Sequence, residues 1–473
     1  MNRFLSLVTR PSLRASVQLL AFVASAFVAR LLLYFGFADD FRNLSFGQVL
    51  AAFAVGLRFD LSMAMVMAAL PVLLLWLPFA WSQRRVWQGL WHWFIYLALL
   101  AFIFMMAVDL LYFGKVHRHV GSEVNTMWTD IGSMLGLVWR QYAWALALFG
   151  AVALGLGWCW RQLDRIALPL PQRRWPRLLG LPVVFVLMLV VARSGVAGKP
   201  ISVGEAFFSD HPAQGYLALN GAFALSRALL ESPPAPRSFM PDAEAVAEVQ
   251  QYLAGDAPVF ATPGFALHRA MRPASRATPP NVVVLMLESW GAEHIDALRR
   301  LQSQTPLGVT PNFDALVRQG RLYSRFYANG QRSLLGAQAI LASQPTFAAM
   351  PFLGEGMEQN RQSFMGELAR SQGYATYFLQ SSERGSLRFD AIAARAGFAT
   401  YRGAEDIANL HQQPKPANTW GTWDHNTLQA AHQLFAAARQ PFLGFVFPSS
   451  THTPWLIPDA RFAKIQGGGE RTA

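Results

Sequence analysis

Five apolar runs fall within the first 195 residues, and they limit this chain more than any other feature. They lie near 15–37, 48–80, 90–113, 142–160 and 177–193, each close to the length that crosses a hydrocarbon core of about 30 Å. A backbone in lipid must satisfy its own hydrogen bonds, so these runs are read as membrane helices. The second run is overlong and carries Arg58 and Asp60, which places the start of its spanning part near Leu61. Charge sets the expected direction. Arg3, Arg10 and Arg14 precede the first run, Arg84 and Arg85 follow the second, and Arg161, Arg165, Arg173, Arg174 and Arg177 fill the fourth loop. The alternate loops hold Arg42 alone and then a dispersed Lys115, Arg118 and Arg140. Positive charge stays on the cytoplasmic side, so the N-terminus is expected in the cytoplasm and the C-terminal half outside it. The first span is long and no small-residue cleavage site follows it, which argues against a removed signal peptide.

With the helices accounted for, the composition makes sense. Of 473 residues, 53% are hydrophobic and 14% charged, and the formal charge of +12 comes largely from loop arginines. That pattern suits a membrane protein and excludes nucleic acid as the expected partner. Cys159 is the only cysteine and sits at the end of the fourth run. The exported half therefore has no disulfide and no thiol nucleophile, and its core must hold it together. Arg58, Asp60 and Asp109 are charges at or within the membrane edge. They either serve a function or pair with one another.

Three domains are expected: a five-span membrane domain at 1–195, a juxtamembrane amphipathic segment and linker at 196–275, and an extracytoplasmic domain at 276–473. Ala206 to Leu230 reads as amphipathic and suited to the outer leaflet. Breaks by composition follow at 232–238 and 272–280. Beyond them, strands expected at 281–287, 321–327, 374–380 and 442–447 alternate with helices near 311–320, 334–343, 361–372, 388–396 and 424–439. That alternation predicts an α/β sandwich around a largely parallel sheet. Ligands of such sheets gather beyond the carboxyl ends of the strands.

Those ends are polar. Asn281-Val-Val-Val-Leu-Met-Leu-Glu288 runs an apolar strand into a carboxylate, and Tyr374 to Gln380 ends in Ser381-Ser-Glu-Arg-Gly385. Phe442 to Phe447 ends in Pro448-Ser-Ser-Thr-His452. Between the first two lies Asn329-Gly-Gln-Arg-Ser333, a turn leading into an apolar helix. A carboxylate, a hydroxyl at a helix start and a histidine above one sheet suit phosphate or ester chemistry, because a helix N-terminus offers N–H groups to an anion. Each also has a plain structural use. Glu288 can pair with an arginine, Ser333 can cap its helix, and His452 can be a structural donor. Glu293, His294 and Asp296 read as solvated surface charges.

Taken together, these stretches resemble the lipoteichoic acid synthase family, and more closely its Gram-negative, sulfatase-like phosphoglycerol transferase branch in the alkaline phosphatase superfamily. The resemblance rests on the five-span anchor, the strand ending in Glu288-Ser, Thr310-Pro-Asn-Phe-Asp-Ala-Leu316, Asn329-Gly-Gln-Arg-Ser-Leu-Leu-Gly336, Trp420-Gly-Thr-Trp-Asp-His425 and Thr451-His-Thr-Pro-Trp455. It implies a fold of alkaline phosphatase/sulfatase type, a bacterial inner-membrane location and a periplasmic catalytic domain. It also implies a divalent metal, Mn2+ before Mg2+ or Zn2+, held by Glu288 and Ser333. Ser333, standing where the family has threonine, becomes the nucleophile. A phosphatidylglycerol-like phospholipid is the implied donor, and a glycan or lipid the acceptor. His452 is assigned to substrate, with Arg332, Trp420 and Asp424 as further substrate-binding positions.

The family completes its metal site with an Asp-His pair downstream of the His-x-Pro motif. The chain ends 21 residues after His452, so the domain is expected to be incomplete at its C-terminus and the chain inactive or severely impaired. Sulfatase action is an alternative, but Ser333-Leu-Leu-Gly-Ala337 lacks the Pro and Arg of a sulfatase turn. A phosphoethanolamine transferase and an inactive membrane scaffold are the others.

Overall fold

A computed structural model describes residues 10–462 apart from 122–123, 125–137, 166–173, 197–198, 231–237, 255–259, 261–263, 270–277, 347–350, 412–419, 453–455 and 459. The linkers read at 232–238 and 272–280 lie partly outside the described residues. Thr453 to Trp455 and the ending at 466–473 lie wholly outside them.

The membrane part is built from α1 (Arg10–Gly36), α2 (Phe46–Trp76), α3 (Arg85–Val116), α4 (Ala143–Arg165) and α5 (Arg174–Arg193). Four are long and apolar enough to cross a membrane, while the apolar part of α5, Leu178–Arg193, is shorter. Ser45 starts α2 with a reciprocal cap: its Oγ accepts from Gln48 N at 3.3 Å, and its own N–H donates to the Gln48 side chain at 2.8 Å. α2 continues unbroken through Arg58, Asp60 and Pro71, so the helix begins well before Leu61.

The segment from Ala206 to Leu230 does not lie on a surface. It forms α6 (Pro212–Ala218) and α7 (Gly221–Leu230), and Phe207, Leu217, Ala218, Ala222 and Phe223 are buried in the same core as the membrane helices. Its alanines and glycines leave little bulk, so the segment nests between α2 and α3 instead of exposing a polar face. Arg30 donates to Asp60 through two nitrogens at 2.7 and 2.8 Å and to the Leu217 carbonyl at 2.9 Å, while Asn220 donates to Asp60 at 2.8 Å. Asp109 accepts from His119 at 2.6 Å and from Val120 N at 2.9 Å. Arg58 reaches Glu205 at 2.9 Å. Arg58, Asp60 and Asp109 thus all pair, though none with another of the three.

This segment and the residues just before it, from Pro200 on, bond to the C-terminal domain. Ser202 donates to the Gly354 carbonyl at 2.7 Å, Tyr216 to the Gln359 carbonyl, and Arg388 to the Pro200 carbonyl at 2.8 Å. After α8 (Asp242–Leu253), which buries no residue, the chain enters a four-stranded sheet of β1 (Val282–Leu285), β2 (Ala375–Gln380), β3 (Thr400–Arg402) and β4 (Phe442–Phe447). Its order is β1-β4-β2-β3, and every pairing is parallel. β4 is buried throughout and apolar throughout, as a central parallel strand must be. Its Leu443, Phe445 and Phe447 join one core with Phe378, Phe389 and Leu334, whereas Val446 faces a second core with Leu379, Ile407 and Ala430. Helices therefore cover both faces. Gly444 permits this packing, because a Cβ there would stand 2.3 Å from the Phe435 ring.

One expected strand fails and one strand is unexpected. Arg321 to Tyr327 forms no strand; Tyr323, Phe326 and Tyr327 are 64%, 81% and 82% exposed, and propensity without a neighbouring ladder does not make a strand. β3 was not read from the sequence, being only three residues long.

Candidate active site

The parallel sheet puts all strand ends on one side, and placing β4 beside β1 brings Glu288 and the loop Pro448 to His452 together. Ser289, next to Glu288, has φ of 50°, a left-handed conformation that costs a non-glycine residue and clusters at functional sites. Bent this way, Ser289 Oγ donates to Glu288 Oε1 at 2.9 Å. The other carboxylate oxygen, Oε2, accepts from Ser333 Oγ at 2.6 Å.

Ser333 opens α9 (Ser333–Ala342), whose buried Leu334, Ala337 and Leu341 fasten it to the sheet. The hydroxyl is thus fixed in the first turn of a packed helix, where backbone N–H groups have no intrahelical acceptor. Arg332 is the residue before the helix; its carbonyl accepts from Leu335 and Gly336 at 2.9 and 3.1 Å, and its side chain is exposed. Among the described residues, no arginine, lysine or histidine forms an ion pair with Glu288.

The second half of the site is the loop after β4. Thr451 Oγ1 donates to the Glu288 carbonyl, so His452 follows directly from a residue bonded to the end of the first strand. The Trp420 ring lies 4.3 Å from the His452 ring, tilted by 48°. Gly421 lets Trp420 come this near, because a Cβ would fall 1.8 Å from the Ser381 carbonyl oxygen; Thr422 N donates to that oxygen at 2.7 Å. Asp424, assigned to substrate by resemblance, is placed differently. It opens α10 (Asp424–Ala436), and its Oδ1 accepts from Ser449 N at 2.9 Å and Ser450 N at 2.8 Å. Burial pushes its carboxyl above the usual range, and those N–H donors oppose the shift. Asp424 thus spends a carboxylate oxygen on the protein's own backbone.

Asp296 is likewise no solvated charge. It is 3% exposed and accepts from Leu307 N and Gly308 N at 2.6 and 2.8 Å. A cleft of about 730 Å3 beside it is lined by Arg300, Pro306, Pro311, Val317 and Leu322; Glu288, Ser333 and His452 lie outside it. The contributions of Ser289, Ser449 and Ser450 escaped the sequence reading, although each adjoins a residue it had named. The Glu288-Ser289 dipeptide at a strand end was the available signal.

Glu288 and Ser333 offer two converging oxygens, suited to two positions in the shell of a hard divalent cation. The described residues contain no group of three or more His, Cys, Asp or Glu able to hold a metal, so these two do not complete a shell among them.

Residues 280–471 match the Sulfatase family model. Phosphoglycerol transferase I of Salmonella choleraesuis (strain SC-B67) is 28% identical over 159 residues, covering 31% of this chain and 20% of that protein. The Salmonella typhi protein of the same name gives the same figures. The chain spans about a fifth of the length of these curated relatives. A solved structure of an alkaline phosphatase superfamily protein from Vibrio parahaemolyticus is 21% identical, covers 50% of this chain and 55% of its own, and has a TM-score of 0.40.

Proposed function

We propose that this chain, whose C-terminal domain is of the sulfatase type with phosphoglycerol transferases among its relatives, is a membrane-anchored enzyme that moves a phosphoglycerol group from a phospholipid to an acceptor hydroxyl. The observation that carries this is the 2.6 Å hydrogen bond from Ser333 at a helix start to Glu288 at a strand end. It supports a poised alcohol with an anion-binding helix terminus behind it. Ser333 Oγ attacks the phosphorus of a phosphatidylglycerol-like donor while its proton passes to Glu288 Oε2. The phosphorus–oxygen bond to diacylglycerol breaks, and the departing oxygen takes up a proton. The phosphoglyceryl-serine ester then reacts with an acceptor hydroxyl, which restores Ser333. His452 and Trp420 bound the substrate side, and Arg332 faces the negative charge of the transferred group.

Glu288 and Ser333 would hold part of a divalent cation's shell, with Mn2+ favoured over Mg2+ or Zn2+; when bound, it would act as a Lewis acid and lower the hydroxyl pKa. The chemistry belongs at the outer face of a bacterial inner membrane, with the N-terminus cytoplasmic and the sheet domain periplasmic. The arginine bias of the loops supports that direction. The test is diacylglycerol release from phosphatidylglycerol micelles by the purified chain with Mn2+, where measurable release also overturns the expectation of an inactive or severely impaired chain. Ser333→Ala is expected to lower it about 10,000-fold or more, and mass spectrometry of the quenched wild type to find a phosphoglyceryl adduct on Ser333. Equal release by Ser333→Ala would remove the nucleophile.

A further inference from the structure

The Trp420-Gly-Thr-Trp-Asp424 stretch matches a family motif, yet neither end of it has been given a task by its chemistry. Its placement supplies one. The loop after β4 leaves the sheet at Pro448 and carries His452 only four residues on. A loop that short is rigid if its root is rigid, and mobile otherwise. Its root is held at three points: Ser449 exchanges a hydrogen bond with Ser381, Asp424 Oδ1 takes the N–H groups of Ser449 and Ser450 together, and Asp424 N donates to Ser450 Oγ at 2.8 Å. Its tip is held by Thr451 on the Glu288 carbonyl and by the Trp420 ring against His452. Two ends of one motif therefore grip two ends of one loop.

Two backbone N–H groups converging on one oxygen need an acceptor with two free lone pairs, which a carboxylate or an amide oxygen supplies. Asp424 is also the first residue of a 13-residue helix, where the helix dipole favours an anion. The carboxylate thus sits at the positive end of its own helix while taking the two N–H groups of the loop. A half-buried acidic side chain that takes two loop N–H groups on one oxygen is suited to fixing geometry.

We propose that Asp424 is a positioning residue that sets the place of His452 by clamping Ser449 and Ser450, with Trp420 as the opposing jaw. The inference rests on the transferase reading for its kinetic consequence, while the clamp itself is open to a substrate-free measurement. In the full chain in detergent, hydrogen–deuterium exchange at Ser449 to His452 is expected to rise about tenfold in Asp424→Ala, with β1 and β2 unchanged. Asp424→Asn keeps an Oδ1 acceptor and is expected to retain most of the protection, which also guards against a variant that simply unfolds. With phosphatidylglycerol micelles as the probe, Asp424→Ala is expected to raise KM about tenfold with a smaller change in kcat. Adding it to His452→Ala is expected to change nothing more, because the clamp acts through that ring. Unchanged exchange in Asp424→Ala, or losses that add in full to those of His452→Ala, would overturn the clamp. Wild-type chain without turnover would instead remove the transferase reading and leave the exchange result to decide the clamp.

Discussion

The carboxylates of the membrane seat and the carboxylate above the sheet are held in opposite ways. Asp60 has Arg30 across two hydrogen bonds with both side chains nearly inaccessible, and Asp109 has His119. Glu288 has two serine hydroxyls and, among the described residues, no cation. A charge taken out of water needs a partner, and the seat supplies partners from its own chain. The half-buried Glu288 is steadied by neutral donors, so its negative charge remains for something that arrives. The difference separates carboxylates that fasten the fold from one placed for chemistry.

The sharpest way to break this comparison is to remove the charge at Glu288 while keeping its shape. Glu288→Gln is expected to lower diacylglycerol release about 10,000-fold, or ~5.5 kcal/mol of barrier. Its midpoint of thermal unfolding in detergent should stay close to wild type, because no ion pair is lost. A large fall in that midpoint would put Glu288 with the structural carboxylates.

At the seat the order reverses. Asp60→Leu leaves the Arg30 guanidinium buried without its counter-charge and is expected to cost about 3–5 kcal/mol, read from unfolding in detergent. Arg30→Met added to Asp60→Leu should recover much of that loss, since removing both charges removes the penalty as well. Failure of the double variant to recover would mean that the contacts from Arg30 to the Leu217 and Ala218 carbonyls outweigh the pair.

His119 gives a smaller effect that depends on pH. Burial lowers its pKa, but the Asp109 charge with the hydrogen bond it accepts from His119, and the Tyr216 carbonyl at 2.7 Å, outweigh burial, so the net shift is upward from 6.5. Arg30 opposes that rise. A histidine whose folded value is raised stabilises fully below its unfolded value, and the contribution fades as pH climbs through the folded value. Unfolding midpoints should therefore fall as pH rises above 6.5, and the slope should flatten in His119→Gln. An equal slope in both proteins would assign the pH dependence elsewhere.

Much of the frame could be read from the residues, for reasons that also explain what could not. Long apolar helices announce themselves because lipid demands an apolar surface, and β4 because a strand buried throughout demands uninterrupted hydrophobicity. Glu288 stood out because a carboxylate ended such a run. Asp296 did not, because its partners are backbone N–H groups 11 and 12 residues away, and a buried acid that caps a loop looks like a solvated one; Asp424 stood out by its motif, but its backbone partners did not. Residues 206–230 misled in a related way. Small residues on all sides suit a segment wedged between helices, but the sequence alone does not show what surrounds it. The Arg321 to Tyr327 stretch has the side chains of a strand, and pairing is a property of two segments.

The mildest test lies between seat and sheet, at Glu205. Its carboxylate meets Arg58 from α2 at 2.9 Å and Arg388 from the C-terminal domain at 3.4 Å, so it touches both regions. The two arginines differ in exposure, 47% for the Arg58 side chain and 7% for Arg388. Water screens the first pairing, and exposed ion pairs contribute only about 0–1 kcal/mol. Arg58→Ala should therefore barely move the unfolding midpoint. Arg388→Ala should lower it more, since it also loses Glu355 at 2.7 Å and the Pro200 carbonyl. If Arg58→Ala proved as costly as Asp60→Leu, depth of burial would not be what divides the fastening charges from the others, and the contrast with Glu288 would have to rest on pairing alone.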